Sequence, residues 1–228
     1  MAARVVHVDI VSDTICPWCF VGKRRLLAGL ALARRAARTP LELEVRWRPF
    51  FLDDTLPGGA GVDKLARYNA KFGAARVASM LPMMARVGAA EGIAFAWGGN
   101  TGATLDSHRL QEWARRQGGP PLADRLNEEL FQRYFERAQT PCDREVLADA
   151  AAAAGLDRAA AAAFLASGEL AREVQAEAAE WRAAHAVSGV PFFVFDGAEV
   201  IEGAQDAAVF AAVLTRLARG PPPPSQGQ

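Results

Sequence analysis

The stretch Val5-Val-His-Val-Asp-Ile-Val-Ser-Asp-Thr-Ile-Cys-Pro-Trp-Cys19 runs from a strand pattern into the start of a helix. Its β-branched first half predicts a strand, and Ser12-Asp13-Thr14 is a cluster typical of turns and helix caps. Pro17 suits the first position of a helix, where its missing N–H costs nothing. Two cysteines three residues apart at a helix start lie on one face and can form a disulfide. The stretch therefore predicts strand, turn and helix, with two thiols at the helix N-terminus.

The segment that follows predicts a second strand. The helix is expected to continue to about residue 38, and Thr39-Pro40 then stops it. Residues 41–48 alternate apolar and charged side chains strictly, which is the period of a strand with one buried face. The N-terminal part of the chain is therefore expected to be a β-α-β unit.

The C-terminal part of the chain predicts a hairpin and a last helix. Residues 192–195 and 198–201 flank Asp196-Gly197, a pattern that favours two strands joined by a two-residue turn. An amphipathic helix is expected over residues 205–219.

Between these parts the sequence is rich in Ala, Leu, Arg and Glu, which favours helices. Helix breaks are expected where Gly and Pro cluster, at Gly98-Gly99, Gly118-Gly-Pro-Pro121, Thr140-Pro141 and Gly155. We therefore predict a discontinuous α/β domain interrupted by a large all-helical insertion and followed by a disordered, Pro-rich tail. The expected boundaries are 1–61 and 183–219 for the domain, 62–182 for the insertion and 220–228 for the tail.

The helix N-terminus gives the two cysteines different roles. Cys16 is expected to be exposed and to sit at the positive end of the helix dipole, where free N–H groups stabilise a thiolate. Cys16 would attack a disulfide to give a mixed disulfide, and Cys19 would then attack Cys16 to release the product, or the steps would run backwards. The alternatives are half of a zinc site or two inert buried thiols. Zinc needs about four ligands, and the remaining Cys and His residues are scattered, so we predict no metal.

Pro191 precedes the predicted hairpin and carries two interpretations. It is either a proline at the first residue of a strand or a cis proline that places the Val190 backbone beside the two sulfurs, where an extended peptide could pair with it. We favour the cis form and predict Pro191 as part of the catalytic site. Val190, Pro17 and Trp18 are the predicted substrate-binding residues, although the Trp18 indole could equally pack against the insertion.

Composition limits the compartment and the partners. The formal net charge is zero, so neither nucleic acid nor an anionic membrane is an expected partner. Charged residues interrupt every Ala-rich run, which argues against a membrane helix and for a soluble protein. Asp9 would spoil the apolar region of a signal peptide, and three cysteines do not make a structural disulfide framework. We therefore expect a reducing compartment, the cytoplasm.

The sequence resembles the DsbA-like thioredoxin family, specifically its FrnE-type branch, over nearly the whole chain. The resemblance is carried by the residues around the two cysteines, by a segment after the second strand, by two segments of the insertion and by the loop around Pro191. These segments are 9–27, Trp47-Arg-Pro-Phe50 with Leu52, Asp106-Ser-His-Arg-Leu110, Glu129-Leu-Phe-Gln-Arg-Tyr-Phe135, Gly189-Val-Pro-Phe-Phe193 and Gly203-Ala-Gln205.

The resemblance implies a thioredoxin-like fold and a thiol–disulfide oxidoreductase acting on protein or low-molecular-weight thiols and disulfides, with no bound cofactor. Glutathione is a candidate redox partner. The alternative is a glutathione-dependent isomerase or transferase of the hydroxychromene-carboxylate or kappa type, which belongs to the same superfold and usually carries Ser where this chain has Cys16. In such an enzyme Asp206 could hold the glutathione amine, although an acid at a helix start ordinarily compensates the dipole. The sequence leaves monomer and homodimer equally open.

Four further features have ordinary structural interpretations. Cys142 has no sequence partner and is expected to be a packed or partly exposed free thiol. Asp13 is expected to act as a cap or turn residue rather than as a proton acceptor. His108 is expected to make a structural hydrogen bond, and Lys23-Arg24-Arg25 is expected to be a solvated helix face.

Overall fold

The computed structural model describes residues 3–36 and 40–219. In chain order the elements are β1 (Arg4–Ser12), α1 (Pro17–Ala36), β2 (Leu41–Pro49), β3 (Val62–Asp63), α2 (Lys64–Phe72), α3 (Ala74–Ala90), β4 (Asn100–Thr101), α4 (Leu105–Phe135), α5 (Arg144–Ala154), α6 (Arg158–Ala166), α7 (Ala171–Ala184), β5 (Phe192–Phe195), β6 (Glu199–Glu202) and α8 (Ala207–Arg219). The predicted strands and helices of the α/β part are present within a few residues of their expected bounds. The expected last two residues of α1 and the expected disordered tail lie outside the described residues.

Four strands form a mixed sheet in the order β2-β1-β5-β6. Strand β1 is parallel to β2 and antiparallel to β5, with Ser12 opposite Pro49 and Val11 opposite Phe192. The end of β1, the end of β2 and the start of β5 therefore meet at one edge of the sheet. The chain leaves β1 at this edge and enters α1.

Both faces of β1 are buried from Val8 to Ser12, which explains why Ile10 and Val11, on opposite faces, are both apolar. Val6, Val8 and Ile10 belong to the main core, together with Phe20 of α1 and Phe210 of α8. A second cluster lies on the opposite face of β1. It contains Val11 of β1 together with residues in or next to β2, β5 and α7. Its buried members are Val11, Phe50, Val187, Phe192 and Val194, with Trp181 packed against them.

The C-terminal hairpin has a longer connection than the sequence predicts. The Ala198 amide donates to the Phe195 carbonyl at 3.0 Å, and the strand ladder begins at the pair Phe195–Glu199. Three residues therefore separate the paired positions instead of two. Asp196 and Gly197 both have positive φ, 47° and 73°. The Asp196 carboxylate compensates by binding the His7 amide at 2.9 Å.

The insertion is helical, as predicted, with a two-stranded sheet added where β3 pairs with β4. Helix α5 ends at Ala154, next to the predicted break at Gly155, and α4 ends at Phe135, a few residues before Thr140-Pro141. Helix α3 ends at Ala90, well before the predicted break at Gly98-Gly99, and the ends of α2 and α6 were not predicted. The break at Gly118-Gly119 is a kink inside α4: Gly119 has φ of 72°, and Pro120 and Pro121 follow it. A left-handed glycine before two prolines redirects a helix, so α4 consists of two differently directed parts.

The expectation that Lys23-Arg24-Arg25 forms a solvated face is wrong. Lys23 is buried, and its Nζ lies 3.0 Å from Asp124 and 3.1 Å from Glu128, both in α4. Arg24 also pairs with Glu128, and Arg25 Nε pairs with Glu91 at 2.6 Å. These bases look solvated in the sequence because the acids that neutralise them lie far along the chain. In the structure they fasten α1 to the insertion.

No helix within residues 3–36 and 40–219 is both long and apolar enough to cross a membrane.

Gly29 is the point of closest approach between α1 and α8. A Cβ placed on Gly29 would lie 2.5 Å from the Cβ of Phe210 and 2.9 Å from the Ala207 carbonyl oxygen. We expect Gly29→Ala to lower the free energy of unfolding by about 2 kcal/mol in denaturant titrations, because overpacking outweighs the gain in helix propensity. The matched control is Gly168→Ala, where an added Cβ meets nothing within 4 Å. A Gly29→Ala protein as stable as the wild type would contradict the close packing of these helices.

Candidate active site

Cys16 and Cys19 flank the first turn of α1 at the end of the central strand. The Cys16 amide donates to the Asp13 carbonyl at 3.0 Å, and the Cys19 amide donates to the Cys16 carbonyl at 3.1 Å. Helix α1 begins at Pro17, as predicted. Both cysteines are free thiols in this structure. The turn therefore presents the Cys16 sulfur at the helix N-terminus, with Cys19 one turn deeper.

Cys16 is less accessible than the sequence suggests. It is only 4% exposed, and Cys19 is completely buried. The reason is the loop before β5, because the Cys16 Sγ lies 3.6 Å from the Val190 carbonyl oxygen and donates to it. Little of Cys16 is therefore accessible to a substrate.

The environment of Cys19 keeps its thiol protonated. Burial raises the pKa of Cys19 well above its usual value, and the adjacent Cys16 adds to this rise. The Ser12 hydroxyl and the Asp13 amide act in the opposite direction without overcoming it. At neutral pH Cys19 is therefore a thiol, which suits the resolving role and not the attacking one.

The structure brings Val190 and Pro191 to the cysteines. The Val190–Pro191 peptide is cis, as predicted. The Pro191 carbonyl accepts from the Gly203 amide at 2.8 Å, which ties this loop to the end of β6. Gly22 of α1 makes room for the ring, because a Cβ there would lie 3.0 Å from Pro191 Cγ. That Val190 and Pro191 contact a substrate stays a prediction.

Trp18 and Pro17 form the surface next to Cys16. Trp18 is 36% exposed, and Pro17 is half-buried. An exposed indole favours the surface role over the alternative of packing against the insertion. The substrate-binding role of both residues remains a prediction.

Asp13 does more than end a turn. Its carboxylate is fully buried and accepts from the amides of Ile15 at 3.4 Å and Leu52 at 2.8 Å. The second bond joins the turn to the chain that leaves β2. The carboxylate also faces His108, with 3.6 Å between Asp13 Oδ1 and His108 Nε2.

His108 makes the structural hydrogen bonds expected of it. Its Nε2 lies 3.1 Å from the Phe50 carbonyl oxygen and its Nδ1 lies 3.1 Å from Gln111 Oε1. One residue earlier in α4, the Ser107 hydroxyl binds the Thr14 hydroxyl at 2.8 Å. The N-terminus of α4 is thus attached directly to the turn that carries Cys16.

Two tyrosines near the site were not found by sequence reasoning. Burial raises the pKa of Tyr68, in α2, to about 12, and the negative charges of Cys16 and Asp13 act in the same direction. The Tyr134 hydroxyl donates to Thr101 Oγ1 at 3.0 Å. No sequence pattern marks Tyr68, because only the packing of the insertion brings α2 near Cys16, and Tyr134 stands in the segment Glu129–Phe135 without a predicted role.

Cys142 and Asp206 make contacts that involve neither Cys16 nor Cys19. Cys142 is a buried free thiol whose Sγ lies 3.2 Å from the Gly59 carbonyl oxygen and 3.3 Å from Thr140 Oγ1. Burial is the main cause that raises its pKa. Asp206 has an 83% exposed side chain and pairs with Arg25 at 3.2 Å.

Comparison with solved structures finds the same fold in proteins of several named activities. A 2-hydroxychromene-2-carboxylate isomerase is 17% identical, with a TM-score of 0.66 over 93% of this chain and 96% of that chain. The cytosolic disulfide reductase DsbM from Pseudomonas aeruginosa, solved with GSH, is 18% identical, with a TM-score of 0.62 over 93% and 99%. At these identities the likeness is one of fold alone. A search of curated protein sequences gave no significant match.

Two comparisons go beyond the fold. The chain is 33% identical to a probable DsbA oxidoreductase from Streptomyces coelicolor, with a TM-score of 0.81 over 95% of this chain and 92% of that chain. The profile of the DSBA-like thioredoxin domain matches residues 7–215. The predicted thioredoxin-like fold with a helical insertion is confirmed, and the chain belongs to the DsbA-like thioredoxin family.

Proposed function

We propose that this protein is a thiol–disulfide oxidoreductase that exchanges disulfides with protein or low-molecular-weight thiol substrates through Cys16 and Cys19. The observation that carries the proposal is the unequal pair at the start of α1. Cys16 lies at the helix N-terminus, and the fully buried Cys19 lies beside it as a protonated thiol. A transferase or isomerase that only binds glutathione has no use for such a second thiol.

The exchange proceeds in two balanced steps. The Cys16 thiolate attacks one sulfur of a substrate disulfide, a Cys16–substrate disulfide forms, and the other substrate sulfur leaves as a thiolate that takes up a proton. Cys19 then loses its proton and attacks the Cys16 sulfur, which releases the second substrate thiolate. The substrate gains two electrons, and the enzyme is left with a Cys16–Cys19 disulfide. The reverse sequence oxidises a substrate dithiol.

In this mechanism Val190 and Pro191 form the side of the site that faces Cys16. The Val190 carbonyl accepts from the Cys16 thiol, so the Val190 backbone lies beside Cys16. In that position an extended substrate could pair with it. The exposed Trp18 and the half-buried Pro17 form the surface next to Cys16. We assign these four residues to substrate contact and catalysis as part of the proposal.

The proposal also covers the cellular compartment of the protein and its branch within the family. Cytoplasmic localisation is supported by the fold shared with the reductase DsbM, which is described as cytosolic. We keep glutathione as the candidate partner that returns the Cys16–Cys19 disulfide to thiols, two glutathiones being oxidised to one glutathione disulfide. We also propose that the protein belongs to the FrnE-type branch of the DsbA-like thioredoxin family.

The test is to equilibrate the protein in buffers of defined reduced-to-oxidised glutathione ratio and to follow the Cys16–Cys19 disulfide by alkylation and mass. Reduction of insulin by the purified protein then reports catalysis. A Cys16–Cys19 disulfide that forms reversibly and depends on both cysteines supports the proposal. Tight glutathione binding with Cys19 dispensable favours the isomerase or transferase alternative instead.

The three cysteines should differ in their rates of alkylation. We expect iodoacetamide at slightly acidic pH to modify Cys16 first, because burial raises the pKa of both Cys19 and Cys142 and leaves them as unreactive thiols. Raising the pH should speed the reaction of Cys19 and Cys142, because it brings both thiols closer to their raised pKa values. Peptide mass mapping over time measures this order, with Cys16→Ser as the control. Equal rates at all three sites would refute the assigned order of attack.

Removal of the resolving thiol should trap the first intermediate. We expect Cys19→Ser to accumulate mixed disulfides through Cys16 in cells, because capture by the thiolate survives while intramolecular release fails. Non-reducing gels of tagged protein measure the adducts. Cys16→Ser is the negative control.

The matched control for this trap is Cys142→Ser, which removes a buried cysteine whose hydrogen bonds involve neither active-site cysteine. We expect it to trap nothing and to keep disulfide exchange within roughly threefold of the wild type. A Cys19→Ser protein that captures only glutathione would favour the glutathione-dependent alternative, and one that captures nothing would sink the oxidoreductase proposal.

A further inference from the structure

The Ser12 hydroxyl is a buried polar group that the fold itself does not use. Ser12 is the last residue of β1 and is only 3% exposed. Its carbonyl accepts from the Phe50 amide at 3.0 Å, so the sheet holds its backbone. Within residues 3–36 and 40–219, the Ser12 Oγ has no hydrogen-bond partner. An unpartnered buried hydroxyl is destabilising, so its presence in a folded protein calls for a reason.

The pleat of β1 directs the Ser12 side chain toward the two cysteines. Side chains two residues apart on a strand lie on one face, so Ser12 shares the face of Ile10. Ile10 belongs to the main core, which also contains Cys16 and Cys19. Val11, on the other face, belongs to the second cluster. The hydroxyl therefore lies on the side of the sheet where the resolving thiol is buried.

Cys19 is the group on which this hydroxyl acts. Burial raises the pKa of Cys19 well above its usual value, and the adjacent Cys16 raises it further. The Ser12 hydroxyl acts against this rise as a hydrogen-bond donor, together with the Asp13 backbone amide. Such a donor stabilises a thiolate more than a thiol, because hydrogen bonds to charged acceptors are the stronger ones. Ser12 therefore favours the form of Cys19 that can attack.

We propose that the Ser12 hydroxyl is left without a partner in the dithiol protein so that it can donate to the Cys19 thiolate during the resolving step. This inference rests on the proposed function. In that step Cys19 gives its proton to water and attacks the Cys16 sulfur, and the substrate leaves as a thiolate that takes up a proton. The Ser12 proton stays on its own oxygen throughout. Its hydrogen bond weakens once the Cys19 sulfur has become part of a neutral disulfide.

The other polar groups of this turn already have partners. The Thr14 hydroxyl binds the Ser107 hydroxyl at 2.8 Å. The Asp13 carboxylate accepts from two backbone amides. Lys23, one turn beyond Cys19 in α1, pairs with two carboxylates of α4 at 3.0 and 3.1 Å. Ser12 is therefore the hydroxyl at this turn whose proton is not already committed.

The titratable groups around the cysteine pair are the same in every Ser12 variant. Burial raises the pKa of Tyr68, in α2, to about 12 and that of Tyr134, in α4, well above its usual value. His108 of α4 faces Asp13 Oδ1 at 3.6 Å. A difference between variants that differ only at residue 12 therefore reports the hydroxyl and not the titration of these groups.

The test compares two variants that have the same shape at residue 12. Ser12→Thr keeps the hydroxyl, Ser12→Val replaces it with a methyl group, and both residues suit a strand. Reduced protein is mixed with glutathione disulfide, quenched with acid at successive times and analysed by mass. Capture by Cys16 depends on the concentration of glutathione disulfide, whereas release by Cys19 does not. The two rate constants are therefore obtained separately.

We expect Ser12→Val to release glutathione roughly tenfold more slowly than Ser12→Thr at pH 7, with the pH–rate profile of release about one pH unit higher. Capture should agree within about twofold, because Cys16 attacks before Cys19 ionises. Equal release by the two variants, or a parallel loss of capture and release in Ser12→Val, overturns the inference. If the branched side chains prevent folding, Ser12→Ala is compared with the wild type under the same expectation.

The matched control is Ser167→Ala, which removes a serine hydroxyl that donates to the Phe164 carbonyl at 2.6 Å in the insertion. We expect both of its rate constants to stay within about twofold of the wild type. Release as slow as that of Ser12→Val would show that loss of an unrelated hydroxyl has the same effect, and the inference would fail.

A measurement without disulfide exchange separates failure of the inference from failure of the proposed function. In a background of Cys16→Ala and Cys142→Ser, ¹³C NMR of cysteine-labelled protein follows the ionisation of Cys19 alone. We expect the Cys19 Cβ signal to begin its shift at a lower pH with Ser12→Thr than with Ser12→Val. A wild type that captures no glutathione and forms no Cys16–Cys19 disulfide refutes the function and leaves Ser12 to this titration. Normal exchange with identical titrations refutes only the inference.

Discussion

The hydrogen bond from the Cys16 amide to the Asp13 carbonyl is the constraint around which the site is built. It closes the turn that takes the chain from the central strand into α1. Strand β1 is paired on both sides up to its last residues, with Ser12 opposite Pro49 and Val11 opposite Phe192, so the chain enters the turn from a fixed position in the sheet. The position of the Cys16 sulfur is therefore set by the sheet, and the helix N-terminus follows from it.

A turn that is buried in this way needs partners for its polar groups, and the insertion provides them. Thr14 binds Ser107, and the Asp13 carboxylate faces His108. An unpaired buried hydroxyl or carboxylate would cost more than the contact gains, so α4 cannot be separated from the turn without penalty. The insertion consequently supplies contacts that hold the turn carrying Cys16. The burial of Lys23 against Asp124 and Glu128 adds a second attachment of the same kind.

The sequence predicts the local features of this arrangement well. Strand alternation, Pro17 at a helix start and the breaks at Gly118-Gly119 and Gly155 each reflect a preference of a few neighbouring residues, and the structure follows them. The placement of Pro191 near Cys16 was inferred from the cysteine pair at the helix start and not from a local pattern around Pro191, because the two residues are far apart in the chain. The pairing of β3 with β4 went unpredicted, since strands of two residues have no periodicity to detect.

What the sequence could not predict depends on packing between distant segments. Cys16 is buried because the Val190 loop covers it, and Tyr68 is near the site because α2 packs there. Lys23 looks like a solvated base until α4 brings its acids. In each case a property of one residue, such as exposure or charge, is set by a partner tens of residues away. Local patterns carry no information about such partners.

The two active-site cysteines are almost equally buried, so access alone does not separate their roles. The electrostatic effect of Cys16 on Cys19 is what separates their roles. Burial is the main cause that raises the pKa of Cys19, and the charge and hydrogen bonding of Cys16 raise it further. In the proposed mechanism, capture of a substrate converts the Cys16 thiolate into a neutral disulfide sulfur. That change removes the repulsion on Cys19 while the opposing bonds from the Ser12 hydroxyl and the Asp13 amide remain. Cys19 therefore becomes easier to deprotonate at the moment its attack is needed, and premature reaction of Cys19 is suppressed by the same interaction.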